Sequence, residues 1–137
     1  MRVDWRFLLK KGGDFGIVRG MEWIEITWTS GNIDEARRIC RYLVQERMVV
    51  SAKIIPWVET IVMLDNQLET VQESQCVLRA KEGDFEQIAE VIRDNHSYQI
   101  PEVTWNRIEG GNREYIQWLE ETKGRAWTLY RRKKGKS

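Results

Sequence analysis

Apolar positions along this chain recur at two different periods, and the changes of period mark its elements. From residue 21 to about 29, Ile24, Ile26 and Trp28 share one side and Trp23, Glu25 and Thr27 the other, the two-residue repeat of a strand. Ser30-Gly31-Asn32 makes a turn. Asn32 and Glu35 have the spacing of a capping box, in which the carboxylate returns to the Asn32 amide. Ala36, Ile39, Cys40, Leu43 and Val44 then recur at helical spacing, which predicts a helix to about Met48 with Arg37, Arg38, Arg41 and Gln45 facing outward. A second strand, long and rich in Val, Ile and Thr, is expected over about 49–64. Strict alternation puts Ile55, Trp57 and Ile61 on one side and Ile54, Val58 and Val62 on the other. Pro56 interrupts it and cannot donate to a ladder, so an edge position or a bulge is expected there.

Asp65-Asn66-Gln67 reads as a hairpin turn into a third strand, about 68–80, apolar at Val77-Leu78 and polar at Glu69, Gln72 and Glu73. Asp84 and Gln87 form a second capping-box spacing, followed by the helical stripe Phe85, Ile88, Ala89 and Ile92, which stops near Asn95-His96. Pro101 biases Ile100 toward extended backbone, and a fourth strand is expected over about 102–109. After Gly110-Gly111-Asn112, a short helix over about 113–122 carries Tyr115, Ile116, Trp118 and Leu119.

The order β-α-β-β-α-β plus a terminal helix is an α+β, ferredoxin-like pattern over residues 21–123. Right-handed crossovers put both helices on one sheet face. The second strand is apolar on both sides, so the other face requires a partner, and self-association follows. Residues 1–20 stand apart as an N-terminal extension: Trp5, Phe7 and Leu9 alternate, and Lys11-Gly12-Gly13-Asp14 and Gly16 break the pattern. Residues 124–137 form a basic C-terminal tail in which Trp127, Leu129 and Tyr130 are the only apolar anchors.

Composition narrows the function classes. A chain of 137 residues with 42% apolar and 31% charged positions is an ordinary globule with one core. The net charge of +1 is uneven: residues 131–137 carry five basic groups and no acid, leaving the rest at −4. That tail reads first as a solvated end, and second as a weak contact for anionic polymers or lipid. No apolar run approaches the ~18 residues of a membrane span, and no secretory signal pattern is seen. Two cysteines make no disulfide framework, which points to a reducing, cytoplasmic setting.

The candidate chemistry lies in His96-Ser97-Tyr98-Gln99-Ile100-Pro101-Glu102-Val103, which brings the only histidine, a phenol and a carboxylate together. His96 can ligate a metal as neutral imidazole with Glu73 or Glu102 supplying oxygen, or can simply end a helix, where a cation is favoured by ~0.3–1 kcal/mol. Tyr98 is a hydrogen-bond donor for a ligand cleft or an interface aromatic, and Lys53 and Arg79 are the cations assigned to that cleft. Cys40 and Cys76 sit on apolar stripes and read as buried thiols. With one imidazole and no nucleophile elbow for Ser51 or Ser97, a catalytic triad is not supported, and no enzymatic activity is expected. Gly12-Gly13 and Gly110-Gly111 lack the Gly-Lys-Ser/Thr of a phosphate loop. The seven tryptophans fit core and interface packing, with Trp57 and Trp118 as interface candidates.

Four segments carry a family resemblance, in order and in register. Asp34-Glu35-Ala36-Arg37-Arg38-Ile39-Cys40-Arg41-Tyr42-Leu43-Val44, Lys53-Ile54-Ile55-Pro56, the stretch 96–103, and Gly111-Asn112 with Tyr115-Ile116-Gln117-Trp118-Leu119 resemble the corresponding pieces of the CutA, or divalent-cation tolerance, family. The third is close to its His-Pro-Tyr-Glu-Val-Pro-Glu-Ile signature. The resemblance covers about residues 21–122. It implies a homotrimer with sheets packed inward, an architecture shared with PII-type signalling proteins, a link to copper and other divalent cations, and a strand-three glutamate at Glu73. It also shows departures. Ser51 stands where the family has a cysteine, Lys53 where it has asparagine, and Met63-Leu64 where it has tandem tryptophans. Ser97 and Gln99 replace proline and glutamate of the signature. Loss of the thiolate disfavours copper at that point.

The expectation is therefore a non-enzymatic CutA-like trimer binding a divalent metal ion, copper by family analogy, or a small anion at inter-subunit clefts. The alternatives are PII-like small-molecule signalling and a structural, partner-docking trimer whose tails gain avidity. An RNA-recognition module shares the strand order, but Ser74-Gln75-Cys76-Val77-Leu78-Arg79-Ala80 lacks the stacking aromatics, so nucleic acid is not expected as a partner.

Overall fold

The computed structural model describes residues 15–16 and 22–125. The alternation at Trp5, Phe7 and Leu9 and the tail 131–137 lie outside the described residues. In chain order the elements are β1 (Phe15–Gly16), β2 (Trp23–Ser30), α1 (Ile33–Gln45), β3 (Ser51–Leu64), β4 (Gln67–Lys81), a 3-10 turn (Glu82–Asp84), α2 (Phe85–Asn95), β5 (Glu102–Arg107), β6 (Gly111–Asn112) and α3 (Arg113–Thr122). The four long strands form one antiparallel sheet in the order β3-β4-β2-β5, the ferredoxin-like arrangement. The two short strands pair separately, Phe15 with Asn112 and Gly16 with Gly111, so the N-terminal segment meets the turn before α3.

One sheet face is covered by α1 and α2. Ile24, Ile26 and Trp28 of β2, Cys76, Leu78 and Ala80 of β4, Ala36, Ile39, Cys40 and Leu43 of α1 and Ile88 and Ile92 of α2 make a single buried core. Each fully buried Ile or Leu there contributes roughly 1.5–3 kcal/mol. Val44, expected in the α1 stripe, is instead 41% exposed, and α1 ends at Gln45 rather than Met48. Arg47 takes a left-handed conformation (φ 59°), and Met48 N donates to Leu43 O to close the helix end.

The opposite face is not bare along its whole length, as the pattern alone implied. At the start of β2, α3 lays Ile116 and Leu119 over Trp23, with Val50, Ile108, Tyr115 and Trp118 around them. Trp23 Nε1 donates to Glu120 Oε1 at 3.2 Å, fastening the helix to the strand. The open face is therefore confined to the other end of the sheet and to the long β3–β4 hairpin.

The expected alternation along β3 is overturned at Pro56. The register jumps between Ile55, opposite Gln75, and Val58, opposite Glu73, so Pro56 and Trp57 together face the one residue Ser74. This is a bulge on an edge strand, where a missing N–H costs no ladder bond. Ser74 Oγ donates to the Pro56 carbonyl at 2.7 Å. The extra residue inverts every side chain after it. Ile55 therefore shares the open face with Val58 and Val62, while Ile61 falls on the side of Ile54.

Both capping boxes also differ from expectation. Asn32 caps α1 through its own Oδ1, which accepts from Asp34 N (2.7 Å) and Glu35 N (3.1 Å). The Glu35 carboxylate does not return to Asn32 but turns into the protein. Asp84 closes the 3-10 turn and makes no side-chain cap to α2.

Candidate functional site

The polar end of the core is built around Ser30, the last residue of β2. Helix α1 starts three residues later and aims the buried Glu35 back at it, so that Ser30 Oγ donates to Glu35 Oε2 at 2.7 Å. Helix α2 ends with His96 at its C-cap, and the imidazole enters the same space with its side chain fully buried. Two groups compete for one ring nitrogen: Trp28 Nε1 donates to His96 Nδ1 at 3.2 Å, and Glu35 Oε2 lies 3.3 Å from it. An indole only donates and a carboxylate accepts, so Nδ1 serves Trp28 when bare and Glu35 when protonated. His96 Nε2 is buried and has no hydrogen-bond partner among the described residues.

Tyr98 carries this buried cluster to the surface. Its ring stands edge-on to His96, centroids 5.0 Å apart, and its hydroxyl donates to Glu73 Oε2 at 2.8 Å. Burial first, then the bond to Glu73 and the charges of Glu73 and Glu35, push the phenol up to about 12. Tyr98 is thus a fixed donor throughout the ordinary pH range. Gly31 makes room for it, because a Cβ there would lie 2.6 Å from Tyr98 Cζ. Glu102, first residue of β5, accepts from Thr29 Oγ1 at 3.2 Å.

The residues assigned from sequence are thus only partly united. Tyr98 and Glu73 meet directly, and His96 stands behind them. His96, Glu73 and Glu102 do not converge as ligands within one subunit, and among the described residues no group of three His, Cys, Asp or Glu is placed to hold a metal ion. His96 positions Tyr98 and has no exposed nitrogen to offer. Lys53 is exposed opposite Val77, and Arg79 lies six residues beyond Glu73 on β4, about 20 Å along the strand. Arg79 is engaged elsewhere: Nη1 donates to Tyr115 Oη (2.8 Å) and Nη2 to Glu25 Oε2 (3.3 Å). Tyr98, Lys53 and Arg79 therefore do not form one cleft in a single chain. Trp57 projects from the bulge, 72% exposed, whereas Trp118 is half-buried and stacked on Tyr115.

Sequence reading missed Trp28, Ser30, Gly31 and Glu35 as members of this site. A signal for one of them was present: Glu35 is a charged residue next to the apolar stripe of α1, where the capping-box spacing explained it too easily. The two cysteines are buried in the core as expected. The Cys76 thiol is pushed well above its ordinary range by its hydrogen bond to Cys40 and by burial, which removes it as a nucleophile.

Among the described residues, no helix is long and apolar enough to cross a membrane. The family model described as CutA1 divalent ion tolerance protein matches residues 24–122. The divalent-cation tolerance protein CutA of Thermus thermophilus is 32% identical over 89 residues, covering 65% of this chain and 86% of that protein. The chloroplastic protein CutA 1 of Oryza sativa is 26% identical over 94 residues, covering 69% of this chain, which spans only 53% of that relative's length. The crystal structure of CutA1 from the psychrotrophic bacterium Shewanella sp. SIB1 superimposes with a TM-score of 0.68 at 28% identity, covering 74% of this chain and 94% of that one. With the family's segments in register and its fold in place, the chain belongs to the CutA1 divalent ion tolerance family, as a divergent member.

Proposed function

We propose that this protein is a non-catalytic CutA-type homotrimer that takes a divalent cation or a small anion at clefts between its subunits. The observation that supports this reading is the Tyr98–Glu73 bond, which ties the signature segment to β4 of the long hairpin. Large apolar side chains stand in solvent on the adjoining hairpin: Trp57 and Leu68 at 72% exposure, with Ile61, Met63 and Leu64 all above half. Such a patch on a body this size calls for a partner, and a second copy of the same hairpin supplies matching chemistry. The relatives' names connect them with divalent-cation tolerance, and that role is extended here to this chain.

The accessible oxygen donors among the assigned residues are the carboxylates of Glu73 and Glu102, while Ser51 lacks the thiolate and Cys40 and Cys76 are buried. Oxygen donors favour hard cations over copper. The unpaired buried thiols fit a reducing, cytosolic compartment. A second reading, a docking trimer without metal, is supported by the large apolar side chains exposed on the hairpin.

Light scattering and calorimetry test both readings. The expected mass is close to three subunits, and a monomer would remove the clefts altogether. Titration with magnesium, zinc and copper is expected to give heats that Glu73→Gln abolishes and His96→Ala alters only through loss of Tyr98 positioning. No heat with any cation in an intact trimer supports the docking reading instead.

A further inference from the structure

A second region, at the far end of β2 from Tyr98, gathers positive charge. Here a cleft of about 680 Å³ opens between the end of α1, the end of β4 and the end of α3. Four cations line it, Arg47, Lys81, Lys123 and Arg125, against the single carboxylate of Asp84. None of the four has an ion-pair partner among the described residues. Three cations elsewhere do have one: Arg107 forks onto Glu82 (3.0 and 3.1 Å), Arg79 meets Glu25 (3.3 Å), and Arg37 lies 3.8 Å from Asp34. The excess of cations in the cleft is local, because the body of the chain carries a net negative charge.

The backbone holds these cations in place. Arg47 (φ 59°) and Lys123 (φ 55°) both occupy left-handed conformations just past a helix end. Lys123 N donates to Leu119 O at 2.9 Å, and Gly124 (φ 79°) presses so closely on Val50 that a Cβ there would lie 2.6 Å from Val50 Cγ1. Lys81 is steadied by the Trp23 ring, its Nζ 5.9 Å from the centroid. Helix dipoles account for a cation at the ends of α1 and α3. They do not account for Lys81, at the end of a strand, or for Arg125, beyond the turn.

We infer that this cleft binds a phosphate-bearing organic anion, its charges held by Arg47, Lys81, Lys123 and Arg125 and its uncharged part laid against Val44, Met48 and Val50. Its size is that of a small-molecule site and far exceeds what one phosphate needs. Guanidinium and ammonium groups together supply the charge-assisted donors that phosphate oxygens take. Within the chain this site is separate from Tyr98: the eight residues of β2 keep the two about 25 Å apart. It therefore stands or falls independently of the cation reading.

The test is calorimetry on the full chain at low salt with adenosine triphosphate and with inorganic tripolyphosphate, which matches its charge. The expected result is one saturable site per subunit, tighter for the nucleotide. The variant Lys123→Glu with Arg125→Glu is expected to weaken both ligands by about tenfold or more, since a charged hydrogen bond is worth more than the 1.4 kcal/mol of a tenfold change. Both positions are exposed, and circular dichroism checks that the variant is folded. Lys133→Glu with Lys134→Glu makes the same change of net charge in the tail and is expected to leave affinity within about twofold. Equal weakening by the two variants would show a field effect of overall charge and overturn the site. Loss only in the tail variant would move the anion to the tail and overturn it too. So would the absence of saturable binding, or a nucleotide bound no more tightly than tripolyphosphate.

Discussion

At its Ser30 end, strand β2 meets a closed polar cluster; at its Trp23 end it meets an open one. Trp28, Ser30, Glu35, His96, Tyr98 and Glu73 form a chain of contacts in which nearly every donor and acceptor is spent on a neighbour. Arg47, Lys81, Lys123 and Arg125 face shared space in which, among the described residues, Asp84 is the single carboxylate. The comparison teaches that a family signature and a binding surface need not coincide. The signature histidine is buried behind the tyrosine it packs against, and the cations that line a cleft lie at the opposite end of the strand.

The sharpest way to break this contrast is to remove the acid at the closed end. Glu35→Ala takes one buried partner from Ser30 Oγ, which keeps Asn32, and one from His96 Nδ1, which keeps Trp28. A loss of about 2–4 kcal/mol in urea unfolding is expected. A loss within experimental error would show that the cluster is not a structural lock. At the open end, Gly124→Ala forces a Cβ into Val50 at a left-handed backbone position. It is expected to cost about 1–2 kcal/mol in the same measurement; no cost would mean that the end of α3 is not pinned on Val50.

The smallest expected effect is a pH dependence. The folded state holds Tyr98 protonated, its pKa raised from 10.0 to about 12. Its contribution is therefore complete below pH 10 and is lost as pH rises from 10 toward 12. Tyr98→Phe removes that slope, so thermal melts of the two proteins are expected to converge above pH 11. Because Tyr98 is 38% exposed, solvent screens the interaction and the gap is small. Parallel curves over the whole range would detach Tyr98 from Glu73.

Much of the fold was legible in the residues. The helical stripes at Ala36, Ile39, Cys40 and Leu43 and at Ile88 and Ile92 are buried as their spacing requires. The last helix spans the expected residues, since Gly110-Gly111-Asn112 punctuates it on one side and a left-handed Lys123 ends it on the other. The bulge at Pro56 was foreseen as one of two options, and both hold: β3 is an edge strand and is bulged. Its consequence was not foreseen, because a one-residue insertion reverses all later faces and leaves no mark on local composition. The candidate site was read by kinds of residue, and those kinds did come together in part. Glu35 was hidden because a capping-box acid and a buried acid have the same local sequence.

Periodicity, turn residues and capping signals by themselves determined the element order, the ferredoxin-like class and the two core stripes, because these depend on spacings of a few residues. Only the tertiary structure decided which way Glu35 turns, that His96 is enclosed and Tyr98 exposed, and that α3 closes one end of the second face. It alone decided that Arg47, Lys81, Lys123 and Arg125, spread over 79 positions of chain, line one cleft. Those outcomes are set by contacts between distant segments, whose energies no local pattern encodes.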